Sequence, residues 1–277
     1  MRPPEIFDRA ARRLRRDRIA DAYPAHDFLR AVMIEGLLDR LASVKREFHD
    51  VLDLGSFASG FALPGARIAQ LDAGRRFAAT AGGVQGDEDR LPFRDESFDL
   101  IVSAGVLDTV NDLPGALALA RRALRPDGLF LAAFTGAGSL PTLRAVLRDA
   151  EGDRPAPRIH PQIDVRAAGD LLMRAGFALP VADIETIDVR YASFGRLLDD
   201  LRGMGAGNIL AERRAMRRDV LARAAEGFVA RADADGRTTE RFAILYLTAW
   251  APSPDQPQPA RRGSGTASLA AAIGKKV

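Results

Sequence analysis

The stretch whose reading decides the fold is Val51-Leu52-Asp53-Leu54-Gly55-Ser56-Phe57-Ala58-Ser59-Gly60. A short apolar run carrying one acid ends at a glycine, which predicts a buried strand turning sharply at Gly55. Working outward, strand-like runs recur at residues 67–72, weakly at 83–86, and again at 98–103 and 128–134. Helical candidates lie between them, notably 113–124, stopped where Pro126-Asp127-Gly128 forbids continuation. Strands alternating with helices predict a parallel sheet covered on both faces, an α/β, Rossmann-like doubly wound fold.

Upstream, residues 7–20 and 27–41 place apolar residues at helical spacing, so two helices precede the first strand. Downstream come helices at 139–151 and 165–175, a strand at 181–189, helices at 193–201 and 209–231, and a last strand at 241–250. That strand carries the β-rich series Phe242, Ile244, Tyr246 and Thr248. The reading divides the chain into an N-terminal helical segment, 1–45, a sheet domain, 46–250, and a C-terminal tail, 251–277, rich in Pro, Gln, Arg, Gly and Ser. The helices at about 192–232 form a cap inserted before the last strand. Pro64 interrupts the first crossover and leaves only 56–63 for its helix, about two turns.

With 277 residues, 47% apolar and 28% charged, the chain has the composition of a folded globular protein. The absence of cysteine excludes disulfides, zinc-thiolate sites, iron–sulfur clusters and cysteine nucleophiles. No apolar run approaches the roughly 18 residues that span a bilayer, and Met1-Arg2-Pro3-Pro4 does not open a signal peptide, so a cytoplasmic location is expected. The formal charge is only +3, and Arg12-Arg13-Leu14-Arg15-Arg16 reads as the solvated face of a helix rather than as a phosphate-binding stripe, so no nucleic-acid partner is expected.

In an open parallel sheet, ligands bind beyond the carboxyl ends of the strands. The residues there are Asp53, Gly55 and Gly60 after the first strand and Asp72 at the end of the second. Asp72 stands where such folds place the acceptor for ribose hydroxyls, or else caps the following helix. Asp87 or Glu88, after the third strand, would accept from an exocyclic amine.

The run Leu91-Pro92-Phe93-Arg94-Asp95-Glu96-Ser97-Phe98-Asp99-Leu100-Ile101-Val102-Ser103, with Leu124-Arg125-Pro126-Asp127-Gly128, resembles class I S-adenosylmethionine-dependent methyltransferases. Val110-Asn111-Asp112-Leu113-Pro114, Leu172-Met173-Arg174-Ala175-Gly176-Phe177, Asp200-Leu201-Arg202-Gly203-Met204-Gly205 and Pro259-Ala260-Arg261-Arg262-Gly263-Ser264 narrow the resemblance to one subfamily. It groups relatives of the malonyl-carrier-protein methyltransferase of biotin synthesis with a mitochondrial complex I assembly factor. The resemblance implies a seven-stranded sheet. It also implies S-adenosylmethionine held by Asp53, Gly55, Asp72, Asp87 and Ser103, with S-adenosylhomocysteine as product.

The sequence departs from the family at three places. Phe57 stands at the middle glycine of the expected Gly-x-Gly-x-Gly, where a Cβ obstructs backbone approach to a ligand. Leu107-Asp108-Thr109-Val110-Asn111-Asp112 lacks a His-Trp pair, and Gly203-Met204-Gly205-Ala206-Gly207-Asn208 lacks two polar side chains. Asp108, His160, Tyr191, Met204 and Asn208 are the substrate-side candidates, without an assigned catalytic base.

Three functions follow. The first is a methyltransferase whose acceptor, a protein among the options, the sequence does not name; its catalysis would rest on proximity and orientation. The second is a non-catalytic assembly protein related to the complex I factor. The third is an arginine hydroxylase, which the resemblance implies; an iron site of two histidines and a carboxylate finds only His26, His49 and His160, widely spaced, so no metal site is expected.

Overall fold

Successive side chains along a strand point to opposite faces, and this alternation lets one sheet serve two cores. The computed structural model describes residues 5–57, 60–152 and 155–256. Its seven strands are β1 (Asp50–Leu54), β2 (Arg67–Asp72), β3 (Val84–Gln85), β4 (Phe98–Ala104), β5 (Leu124–Thr135), β6 (Ala178–Tyr191) and β7 (Thr238–Trp250). They lie in the order β3-β2-β1-β4-β5-β7-β6. All pairings are parallel except those of β7, which runs antiparallel to both β5 and β6. This is the seven-stranded, mostly parallel sheet that the sequence leads one to expect.

Along β5, Leu129 and Leu131 enter one core while Phe130, Ala132 and Phe134 enter the other. The first core is covered by α2 (Phe28–Ala42), α5 (Pro141–Glu151), α7 (Phe194–Gly203) and α8 (Arg218–Val229). The second is covered by α3 (Arg75–Thr80), α4 (Leu113–Ala123) and α6 (Val165–Arg174). Asp112, Asp164 and Ser193 cap α4, α6 and α7 by accepting from backbone amides, so these starts are set locally. Gly36 lets α2 press onto β7, because a Cβ there would stand 2.5 Å from the Tyr246 hydroxyl oxygen.

Two expectations need correction. Between β1 and β2 no helix forms among the described residues, where a short one at 56–63 was expected. Gly55, Phe57 and Gly60 all take positive φ, which a right-handed helix cannot accommodate. The helix expected at 209–231 begins only at Arg218. Residues 209–211 instead pair with the chain just before α1 (Arg9–Ile19): Phe7 bridges Leu210, the Asp8 amide donates to the Ile209 carbonyl, and the Ala211 amide donates to that of Ile6. The tail reading from 257 onward, including Pro259 to Ser264, lies outside the described residues, as do Met1 to Pro4, Ala58 and Ser59. No helix among the described residues is long and apolar enough to cross a membrane.

Candidate functional site

The carboxyl ends of β1, β2 and β4 meet where strand order reverses, and the turn after β1 shapes that edge. Gly55, at φ +82, closes against Val106, whose methyl would lie 2.4 Å from an added Cβ. Ser103 donates its hydroxyl to the Leu54 carbonyl at 2.9 Å, tying β4 to β1. Phe57 follows at φ 48, an unusual conformation for a residue with a Cβ.

The acids at this edge face α1. Asp72 is fully buried and accepts from Arg16 Nε at 2.9 Å, from Arg16 Nη2, from the Phe57 amide at 2.9 Å and from the Gly74 amide at 2.7 Å. Burial alone would raise its pKa, but the Arg16 charge and these hydrogen bonds outweigh it and hold the carboxyl below its ordinary value. Glu88, also fully buried, takes both terminal nitrogens of Arg12 at 2.6 and 2.8 Å. Asp87 accepts from Arg13 at 2.7 Å, and Asp89 takes a two-pronged contact from Arg9 at 2.7 and 2.6 Å.

Arg9, Arg12, Arg13 and Arg16 are spaced i, i+3, i+4, i+7, one stripe of one helix. The solvated face expected of the basic run is corrected accordingly. Arg12 and Arg16 are buried because each meets a carboxylate whose geometry matches a guanidinium fork. The helix is seated at its start by Asn111, which accepts from the Phe7 amide at 2.8 Å and donates to the Phe7 carbonyl at 2.9 Å.

Phe57 completes the seat. Tyr23 stacks on its ring at 4.5 Å and an interplanar angle of 12°, and the Arg16 guanidinium carbon lies 3.7 Å from its centroid. Behind it, neither oxygen of Asp53 has a hydrogen-bond donor among the described residues, and Arg30 stands 3.7 Å away. Burial, partly offset by Arg30, pushes the Asp53 pKa up to about 6.

On the other side of Arg12, Arg16, Tyr23 and Phe57 opens a cavity of about 910 Å³. Asp108, His160, Met204 and Asn208 line it, whereas Tyr191 does not: that ring is buried among the residues of the first core. Asp53, Gly55, Asp72, Asp87, Glu88 and Ser103 are also absent from its walls, and Gly60 belongs to a smaller pocket beside Arg30 and Ile34. The two sets of predicted residues are thus separated by α1 and Phe57.

Asp108 accepts from the Thr135 hydroxyl through one oxygen, the other has no partner among the described residues, and burial raises its pKa. His160 accepts from the Ile209 amide at 3.1 Å through Nε2 and meets the Phe7 ring edge-on at 5.2 Å. Burial and the neighbouring Arg15 charge push its pKa down to about 4, so it is a neutral brace at neutral pH. Asn208 donates to the Pro157 carbonyl and accepts from the Leu210 amide. His26 contacts Asp200, and His49 sits before β1 at the opposite end of the strands.

A family profile described as a methyltransferase domain matches residues 52–132. The chain is 34% identical to the zebrafish (Danio rerio) protein named Arginine-hydroxylase NDUFAF5, mitochondrial, over 96% of this chain and 88% of that one. It is 30% identical to Malonyl-[acyl-carrier protein] O-methyltransferase of Laribacter hongkongensis, over 86% and 87% of the two chains. The chain belongs to the methyltransferase family that these proteins share. In fold, this family member resembles a putative methyltransferase of Bacillus halodurans, with TM-score 0.54 and 16% identity over 79% of this chain and 99% of the other.

S-adenosylmethionine is the cofactor that the family fold implies. The carboxylates have the right chemistry, since ribose hydroxyls and an adenine amine are hydrogen-bond donors. The room is missing. With α1 seated, guanidinium groups already donate to Asp72, Asp87 and Glu88, and all three are cut off from the cavity. A nucleoside does not fit this arrangement. The stripe on α1, Tyr23, Arg30 and Thr135 were missed by sequence reasoning; the i, i+3, i+4, i+7 spacing of arginines was the available signal.

Proposed function

We propose that this chain is an S-adenosylmethionine-dependent methyltransferase whose nucleoside subsite is gated by its own first helix. The observation that carries the reading is the Arg16–Asp72 pair, which puts guanidinium donors on the carboxylate that ribose hydroxyls would address. Cofactor entry then requires α1 to lift away from the acids it pairs and from Phe57, against the hold of its seat at Asn111, of residues 209–211 and of the Arg76 amide, which donates to Asp17. The acceptor, a protein among the candidates, would be placed in the cavity bounded by Asp108 and Thr135. Their orientation of that acceptor would be this chain's main contribution to rate. A cytoplasmic site of action and the absence of a nucleic-acid partner remain part of the proposal.

The test is titration calorimetry with S-adenosylmethionine and S-adenosylhomocysteine, comparing the full chain with Arg16→Gln and with Arg12→Gln/Arg16→Gln. The expected result is at least tenfold tighter binding in the double variant, about 1.4 kcal/mol. Folded variants that bind neither ligand better than the parent would defeat the gate.

A second reading, a non-catalytic assembly protein, draws support from the Phe57 amide bound to Asp72, which satisfies the loop without a ligand. It gains ground if no adenosyl ligand binds any variant. The hydroxylase reading, carried by the printed name of the NDUFAF5 relatives, meets a charge problem. Six of the nine arginines that line the cavity are ion-paired, but Arg15, Arg18 and Arg214 have no acid partner among the described residues and the wall carries one carboxylate, Asp108, a local balance that disfavours a guanidinium substrate.

A further inference from the structure

The arginines around the cavity fall into two groups. Arg12, Arg16 and Arg30 are matched by Glu88, Asp72 and Asp53, and Arg158, Arg202 and Arg213 by Glu151, Asp199 and Asp8. Arg15, Arg18 and Arg214 line the same space, and among the described residues their side chains make no hydrogen bond or ion pair. Burial, helped by Arg213 and Arg18 close by and opposed by Asp8, lowers the pKa of Arg15. Such an arrangement costs free energy unless an anion neutralises it.

Position adds a second constraint. Arg18, Arg202 and Arg214 are exposed and form the mouth, whereas Leu29, Met33, Leu143, Leu147 and Phe242 are buried and form the floor. Asp108, whose raised pKa favours its neutral form, is the one carboxylate on the wall among the described residues. At about 910 Å³ the space falls within the range of organic-ligand sites, roughly 300–1,000 Å³. An inorganic anion would leave the floor unfilled, and a cation would be repelled at the mouth.

We infer that the cavity binds an organic amphiphile, with its apolar chain against Leu29, Met33, Leu143, Leu147 and Phe242 and its anionic head group, a carboxylate or a phosphate, held by Arg15, Arg18 and Arg214. Apolar burial supplies affinity and the arginines supply selection by charge. With α1 seated, the layer formed by α1 and Phe57 separates this site from the adenosyl pocket, so it can be filled without an adenosyl ligand.

Calorimetry on the full chain, without any adenosyl ligand, tests this with decanoate, decyl phosphate, decanol and decyltrimethylammonium, each below its micelle concentration. At least one anion should bind one-to-one and at least tenfold tighter than decanol, and the cation should not bind. The preferred anion identifies the head group. Arg15→Ala/Arg214→Ala should weaken the anion at least tenfold and leave decanol unchanged. Rising salt should weaken the anion alone, a readout that needs no variant. Equal binding of anion and alcohol, binding insensitive to salt and to both substitutions, or no binding of any probe would overturn the inference. Because the cofactor is absent, none of these outcomes bears on the gate at Asp72.

Discussion

Arg15 and Arg16 are neighbours on one helix, yet they belong to opposite halves of the crevice at the strand ends. Arg16 faces a half in which each acid has a partner: its guanidinium is spent on Asp72 and on the ring of Phe57. Arg15 faces a half in which it, Arg18 and Arg214 lack acid partners among the described residues and apolar side chains form the floor. The contrast teaches that α1 does two jobs set by helical phase, sealing one subsite and building the wall of the next.

The sharpest way to break that contrast is Arg16→Ala. It leaves Asp72 buried without its counter-charge, for which a loss of about 3–5 kcal/mol in denaturant unfolding is expected. Phe57→Gly comes next. Losing a buried ring costs about 3–5 kcal/mol, and removing a Cβ from a left-handed position returns about 1–2 kcal/mol, so a net loss of about 1–4 kcal/mol should appear in the same assay.

A smaller effect comes from Asp53, whose pKa is raised by burial to about 6. A carboxyl raised above its unfolded value of about 3.9 gives stability that is whole below that pH and lost as pH rises through about 6. Asp53→Asn should therefore flatten the fall in unfolding free energy across that window, measured by denaturant midpoints at a series of pH values. Asp72, lowered instead, contributes stability that is present above the unfolded value and lost on acidification. The smallest effect belongs to Arg15→Ala: with no partner to lose, the change should stay within about 0.5 kcal/mol. A loss approaching that of Arg16→Ala would erase the distinction between the two halves.

Much of the sheet was legible because its signals are local. The apolar run before Gly55, the stop at Pro126-Asp127-Gly128 and the β-rich series at Phe242 to Thr248 all fall in strands or at their ends. The acids at the strand ends were legible too, since position after a parallel strand fixes where a side chain projects. What covers them was not. The partner of Asp72 lies far upstream at Arg16, and a basic run on a helix looks the same whether it meets water or carboxylates. The absent crossover helix was half visible in Pro64, but its replacement depends on Phe57 adopting positive φ, a choice set by the ring's contact with Tyr23 and Arg16. The irregular path of 209–217 was hidden for the same reason, because Ile209 and Leu210 are buried against Phe7 rather than on a helix face.

The self-supplied arginine stripe has a consequence for the life of the protein. A chain that pairs Asp72, Asp87 and Glu88 with its own arginines settles those acids during folding, without an adenosyl metabolite. Its half-life is therefore expected to stay level when methionine, the precursor of the sulfonium donor, runs short.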